Sequence, residues 1–560
     1  MTALTGLTAP TALTAPRAMT ALTGTWRLVR LALRRDRVLL PVWTLAIAGL
    51  AWLVVQSYEG TMADPGERAV TAAFAATNPM TRVFDGPASG TSLGAMAMVE
   101  AYKVLAILTA LMSAQAVVRH TRQDEETGRS ELLGSAVVGR HARLTAALVV
   151  TLVADVVLGL VVAGALMASG LAVPGSLAAG LAVAGIGWVF AGVAGVSSQV
   201  SSTARGANAV AGAALGVAFV LRAVGDLLGD VTGGGVHVVS AWPSWLSPMG
   251  WGQQVRPFFQ DNWAIAGLFF ALTALLVAVA VTLEARRDVG PGMVPPRPGP
   301  ARAPRSLRSS LGLAWRLQRG ILLAWAFAFV IAGAAFGSIG ESAQELVSGN
   351  AQLLDLLNRM APGADVVDLY FAFVMAILGI AAAAYTTQAL LRMRAEEVTG
   401  RVEPVLATAT GRLRWFAGHV GIAVLGTTLL LAVTGLAGGL VHAATTGSWS
   451  GLTGPLWGAL VQAPAALALG GFVVAMVGLL PRWSGALAWA ALAITLVMGQ
   501  LGAVLDLPQW ALNASPFTHV PLLPAEELAI APVLWLSVAA LALGAVGFAA
   551  FRRRDLSIGA

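Results

Sequence analysis

The chain has 560 residues, 57% of them hydrophobic and only 11% charged, with a mean hydropathy of +0.76 and a net charge of +7. A soluble domain carries about 25% charge, so a water-soluble globule is excluded, and the apolar runs have the length of membrane-spanning helices rather than barrel strands. There is no cysteine, which excludes disulfides, thiolate nucleophiles and cysteine metal sites.

Residues 1–25 repeat Thr-Ala-Leu-Thr from Thr2, Thr11 and Thr20 and have no basic segment ahead of a solid apolar core. They read as a disordered N-terminal tail, not a cleaved signal peptide. From Trp26 to Arg37 the pattern changes. Arg27, Arg30, Arg34 and Arg37 recur at helical spacing with Leu28, Val29, Leu31 and Leu33 on other faces, which predicts an amphipathic helix at a membrane surface.

Twelve spans follow, at about 38–56, 93–118, 144–169, 174–198, 207–224 and 262–283, then 320–338, 369–391, 416–440, 455–480, 484–505 and 531–551. Between the two sets, residues 284–310 form a linker rich in proline and arginine. After it, Arg305, Arg308, Arg316 and Arg319 rebuild a basic surface helix like the first. The expected fold is therefore an all-α polytopic membrane protein. It consists of two parallel six-helix repeats, 26–283 and 311–560, each preceded by an interfacial helix. Outside the spans, Trp242, Trp245, Trp251 and Trp510 suit an aromatic belt or short interfacial helices.

Charge sets the orientation. With both termini in the cytoplasm, every inner loop carries arginine, and all but six of the 35 basic residues lie inside; the six are Arg68, Arg82, Lys103, Arg222, Arg256 and Arg359. The positive-inside rule then gives a multi-pass membrane protein with both termini in the cytoplasm, and 34 arginines against a single lysine point to a bacterial chain and hence a bacterial plasma membrane. The net positive charge is thereby accounted for without nucleic acid.

One polar stretch recurs. Arg122, Glu125, Thr127, Gly128, Arg129, Glu131, Gly139 and Arg140 meet Arg394, Glu397, Thr399, Gly400, Arg401, Glu403, Gly411 and Arg412 at one ungapped offset, just after the second span of each half. Glu125 and Arg129 fall one helical turn apart, as do Glu397 and Arg401. Gly128 and Gly400 favour a bend, and a second short helix should run from Ser130 to Val138. The bland alternative is a solvated linker with surface ion pairs. Against it stand the acidity of the motif on a basic side and its preserved spacing while flanking loops drift. That pattern fits a docking element for a partner protein.

The only lysine, Lys103, follows Val99-Glu100-Ala101-Tyr102, so no P-loop is possible; the six histidines form no His-Glu-x-x-His, no metal site is expected, and no catalytic constellation stands out.

The motif Glu-Glu-x-x-Gly-Arg-x-Glu-Leu-Leu, followed by Gly-Arg after the second of six spans, resembles the coupling-helix region of type-2 permeases of bacterial ABC exporters. The fused twelve-span layout resembles the actinobacterial subgroup of polyketide-antibiotic, tetronasin-type efflux permeases. The resemblance covers residues 26–554. It implies a transport permease without its own ATPase site and with no cofactor on this chain, ATP and Mg residing on a separate cytoplasmic P-loop ATPase, two copies per chain. Glu125, Glu126, Gly128, Arg129 and Glu131 would contact one ATPase and Glu397, Gly400, Arg401 and Glu403 the other. The second copy departs at Val398, where Glu126 would stand, and at Pro404, where Leu132 would stand. Pro404 should alter the helix start.

The same resemblance implies export of hydrophobic or amphiphilic small molecules by alternating access, along the second and fifth spans. The residues offered there are Phe219, Tyr370, Phe371, Phe373, Tyr385, Met498 and Gln500, against the plainer reading that these side chains only pack or face lipid. Buried charge is costly in a bilayer. Arg222 with Asp226, and Glu100 with Lys103, are spaced to pair, and neither pair, nor Asp155 in the third span, has a counterpart in the other half. The competing reading is a proton-coupled twelve-span secondary drug transporter, for which Asp155 is the main deep carboxylate.

Overall fold

The computed structural model describes residues 21–232, 235–287, 292–294, 299, 301–348, 365–501 and 508–556. The tail before residue 21, residues 288–291, 295–298 and 300 of the linker, and the loop carrying Asn358, Arg359, Pro362 and Gly363 lie outside the described residues. Among the described residues eleven helices are long and apolar enough to cross a membrane, and the extended structure is one two-stranded hairpin, Asp230–Thr232 with His237–Val239. The chain is an all-α polytopic membrane protein. It divides into two compact units, Met1–Pro298 and Gly299–Ala560.

In the first unit, the surface helix α1 (Thr25–Arg35) buries Val29 and Ala32 against Ala146 and Val150, while Arg27, Arg30 and Arg34 stay exposed. The first span, α2, is Leu39–Thr61. Two short helices follow, α3 (Pro65–Thr77) and α4 (Pro79–Phe84), then the second span α5 (Leu93–Val118). A short α6 (Arg129–Gly134) precedes the third to fifth spans, α7 (Ala142–Ala168), α8 (Val173–Val200) and α9 (Ala204–Leu227). Beyond the hairpin, the tryptophan-bearing α10 (Trp242–Trp245) and α11 (Pro248–Gln254) lead to the sixth span, α12 (Ile265–Arg286).

In the second unit, α13 (Ser310–Ser348) is followed by α14 (Val366–Val398), the short α15 (Val402–Leu406) and α16 (Arg412–Thr446). Then come α17 (Thr453–Leu460), α18 (Ala463–Leu479), α19 (Ser484–Leu501) and α20 (Ile530–Arg553).

One feature departs from expectation. The basic segment of the second half is not a separate surface helix. Arg305–Arg308 form one 3-10 turn, and Arg316 and Arg319 belong to the same continuous helix as the seventh span. The cause is visible at one position. In the first half, Asp36 ends α1 and its carboxylate is held by Arg119 and His120 at 2.9 and 2.5 Å. The sequence register between the halves puts Gln318 there instead. Glutamine is a better helix former than aspartate, and its side chain reaches His419 at 2.9 Å without breaking the helix. The eleventh expected span, 484–505, is the shorter apolar helix α19, and residues 502–507 lie outside the described residues.

Within each unit the spans pack through small residues. A Cβ added to Gly180 would lie 2.3 Å from the carbonyl oxygen of Gly159, and one added to Gly337 would lie 2.3 Å from that of Gly438. Lipid supplies no hydrophobic drive between helices, so close backbone approach and dispersion hold them.

Candidate functional site

The second span of the first half does not stop at the end of α5. It continues through a π-helical turn, Arg119–Gln123, and a last turn, Asp124–Glu126. In the second half α14 runs straight on to Val398. Both copies then end alike. The Thr127 hydroxyl donates to the Gln123 carbonyl at 2.9 Å and the Thr399 hydroxyl to the Ala395 carbonyl at 2.8 Å. Gly128 and Gly400 take φ of +72° and +71°, the left-handed region where a side chain is strained. The chain therefore turns sharply and starts a short second helix. Pro404 has the effect its ring demands: α15 begins one residue later in the motif than α6, which places the proline in the first turn where its missing N–H is not needed.

The acidic residues of the motif have different partners. Asp124 is gripped from outside the motif by Arg35 of α1, at 2.6 and 3.0 Å. Its counterpart Glu396 pairs with Arg392 in its own helix at 2.7 Å. Glu126 is exposed and accepts a bond from the Ala204 amide at the start of α9 at 2.9 Å; Val398 offers no such acceptor. Glu125 and Glu397 behave alike. Glu125 accepts from Arg287 at 2.7 and 3.0 Å and from Arg122 at 2.6 Å. Glu397 accepts from Arg554 at 2.5 and 2.8 Å, with Arg394 at 3.4 Å. These two carboxylates point into the protein.

The outward face of each elbow is different. Leu132 and Val137 are 77% and 84% exposed, and Arg129, Glu131, Arg401, Glu403 and Pro404 are exposed with them. Beneath, Gly139 and His141 donate backbone bonds to Thr23 and Ala21, so the segment before α1 lies along the end of the first elbow.

The residues offered for a substrate path are mostly packed. Phe371 and Tyr385 are buried in the second unit, Phe371 edge-on to His442 and Tyr385 edge-on to Trp325. Tyr370 donates to the Phe336 carbonyl at 3.0 Å, Phe373 is 56% exposed, and Phe219 lies under the Arg222 guanidinium. Met498 is half-buried on α19, and Gln500 belongs to the same helix. Phe219 belongs to the first unit and the other six to the second. One cavity of about 430 Å³ does open in the first unit among α2, α5 and α9, lined by Trp43, Gln115, Arg119, Gln123 and Asn208.

At the end of the first unit remote from the elbow, Arg222 lies 3.3 Å from Asp226 and also donates to the Val83 and Phe84 carbonyls. Arg82 donates to the Asp226 and Gly229 carbonyls. The two arginines pin α4 to the end of α9. Lys103 lies 3.3 Å from Glu100, but its shorter contact is with Asp85. That partner was not singled out from the sequence because it stands 18 residues away across a loop. The Asp36–Arg119–His120 cluster was missed too, although a lone aspartate among the arginines of residues 27–37 was a signal for it. Among the described residues no cluster of histidine and carboxylate side chains is placed to hold a metal ion.

Packed membrane helices in two units, each carrying the same polar elbow after its second span, are the architecture of a polytopic permease. Residues 307–552 match the family described as the C-terminal domain of the multidrug efflux system permease Rv1217c. Over 536 residues, 95% of each chain, the sequence is 38% identical to the Multidrug efflux system permease protein Rv1217c of Mycobacterium tuberculosis. The chain belongs to this family of multidrug efflux permeases.

Proposed function

We propose that the chain is the membrane subunit of an ATP-driven exporter of the ABC type. It would move hydrophobic or amphiphilic drug-like molecules outward by alternating access. Hydrolysis would take place on a separate P-loop ATPase that carries ATP and Mg and binds in two copies, one per elbow. The arginine-rich ends of the spans and both termini then face the cytoplasm of a bacterial cell. The observation that carries this reading is the elbow itself. It is present once per half, polar and exposed at its tip, in a chain whose sequence has no P-loop. The contact surface is the exposed set Arg129, Glu131, Leu132 and Val137 in the first half and Arg401, Glu403 and Pro404 in the second, while Gly128 and Gly400 shape the turn.

The test is reconstitution with the separate P-loop ATPase that this reading requires. Leu132→Asp combined with Pro404→Asp is expected to abolish co-purification of the ATPase and drug-stimulated ATP hydrolysis. Retention of both in the double variant sinks the docking surface. A proton-coupled reading has one observation in its favour: Asp155 is fully buried in α7, accepts from Ser113 at 2.6 Å, and has no ion pair among the described residues. Transport that collapses with the proton gradient and ignores ATP, and that is lost in Asp155→Asn, would select it.

A further inference from the structure

The buried carboxylate of each elbow is tied to the far end of its own half. Arg287 and Arg554 are the residues that immediately follow the sixth spans, α12 and α20. At both, the backbone leaves the helix in extended conformation, with φ/ψ of −111°/155° and −85°/155°. Each guanidinium then makes a two-pronged contact with the motif glutamate, Glu125 or Glu397, across 162 and 157 residues of chain. The four side chains are between 2% and 14% exposed.

The grip closes from a second side. Arg140, at the end of the first motif, donates to the Arg287 carbonyl at 3.2 Å, and Arg412, at the end of the second, donates to the Arg554 carbonyl at 3.1 Å. In each half the motif holds the terminal arginine of the sixth span by its side chain at one end and by its carbonyl at the other. The ring Glu–Arg–Arg accounts for two of the repeated positions, Glu125 with Glu397 and Arg140 with Arg412. Among the described residues both halves share this set of polar contacts from the motif to another span, whereas Asp124 and Glu126 reach α1 and α9 in the first half.

A buried ion pair is a poor device for stability alone, since apolar side chains of similar volume hold a protein together as well or better. Its value lies in fixing one arrangement. A forked, two-bonded contact resists sliding and rotation in a way that a single bond does not. We infer that Glu125 with Arg287, and Glu397 with Arg554, form a latch that makes the sixth span of each half move with the elbow. This deepens the ATPase-coupling reading and rests on it. Glu125 and Glu397 are then positioning residues, acting through the terminal arginine and not by touching the partner.

The experiment uses the full chain co-purified with its ATPase and compares Glu397→Gln, Arg554→Gln, their double variant, the same three at Glu125 and Arg287, and Arg554→Lys. The expected result is a tenfold or larger loss of drug-stimulated ATP hydrolysis in each single variant, with the ATPase still bound. Each double variant should be no worse than its singles, because both changes open the same contact. Arg554→Lys, which keeps charge but loses the fork, should fall between. Hydrogen exchange of residues 284–287 and 551–556 should accelerate in the variants with or without ATPase. Loss of ATPase binding in Glu125→Gln but not in Arg287→Gln would make Glu125 a contact residue and overturn the latch. Wild-type turnover in the single variants, or unchanged exchange, would overturn it too. A wild-type complex with no stimulated hydrolysis would instead defeat the coupling reading, and the exchange measurement would still decide whether the latch exists.

Discussion

At the scale of single residues, the elbows depend on backbone shape before charge. Gly128 and Gly400 sit at φ values of +72° and +71°, where a Cβ meets the following carbonyl and costs about 1 kcal/mol. Gly128→Ala and Gly400→Ala should each lower the thermal midpoint in detergent, and Asn at the same positions, which tolerates that region better, should lower it less. Asp36 gives a pH signature. Burial alone would raise its carboxyl pKa, but the His120 hydrogen bond and the charges of His120, Arg119 and Arg35 outweigh burial and hold it below the usual carboxylate value. A group whose folded pKa is depressed contributes stability above its unfolded pKa and loses it as pH falls through the folded one. Melting curves of wild type and Asp36→Asn should therefore differ at neutral pH and converge once the pH drops below the usual carboxylate range. A gap that stays constant with pH would count against the ion pair.

At the scale of elements, helix contact is set by glycine. α18 and α20 meet where a Cβ at Gly478 would lie 2.6 Å from the Gly547 carbonyl oxygen and one at Gly547 would lie 2.4 Å from that of Val474. Backbone cannot yield as a side-chain tip can, so Gly478→Val or Gly547→Val should separate the two helices at a cost of about 1–3 kcal/mol. Thermal denaturation measures the cost, and Gly544→Val, at a position with open space around it, is the control that should stay near wild type. The spans themselves were legible in the sequence because a bilayer demands a set length of apolar helix, and α1 because its arginines recur at helical spacing. The motif was legible because its repeat has one ungapped offset. What sequence could not supply was the partner of each carboxylate. Glu125 and Arg129 looked paired by spacing, yet Glu125 turns to Arg287, and Arg129 approaches Asp124 only to 3.7 Å. Spacing along a helix ranks neighbours on that helix and says nothing of the end of another helix more than 150 residues away. The fusion of basic segment and span in α13 escaped for a like reason, since hydropathy does not mark whether a helix breaks at Asp36 or continues through Gln318.

At the scale of the whole molecule, the absence of cysteine makes orientation directly measurable. A single cysteine at Ser135, exposed beside the first elbow, or at Thr232, exposed in the hairpin, can be probed with a membrane-impermeant maleimide. With the arginine-rich end inside, Ser135→Cys should react only in inside-out vesicles and Thr232→Cys only in right-side-out ones. The reverse pattern would invert the topology and remove the elbows from any cytoplasmic ATPase.

The unequal footing of the two elbows has a mechanical meaning. The first is a three-point mount, fixed to α1 through Asp124, to α9 through Glu126 and to the end of α12 through Glu125. Of the corresponding residues in the second, Glu397 reaches the end of α20 while Glu396 pairs with Arg392 of its own helix and Val398 has no carboxylate to offer. A mount on three points is stiff and one on a single pin is compliant. Under the proposed coupling, the same load applied to both would turn the first half as a block and let the second swing, so the two strokes of one cycle would differ in reach.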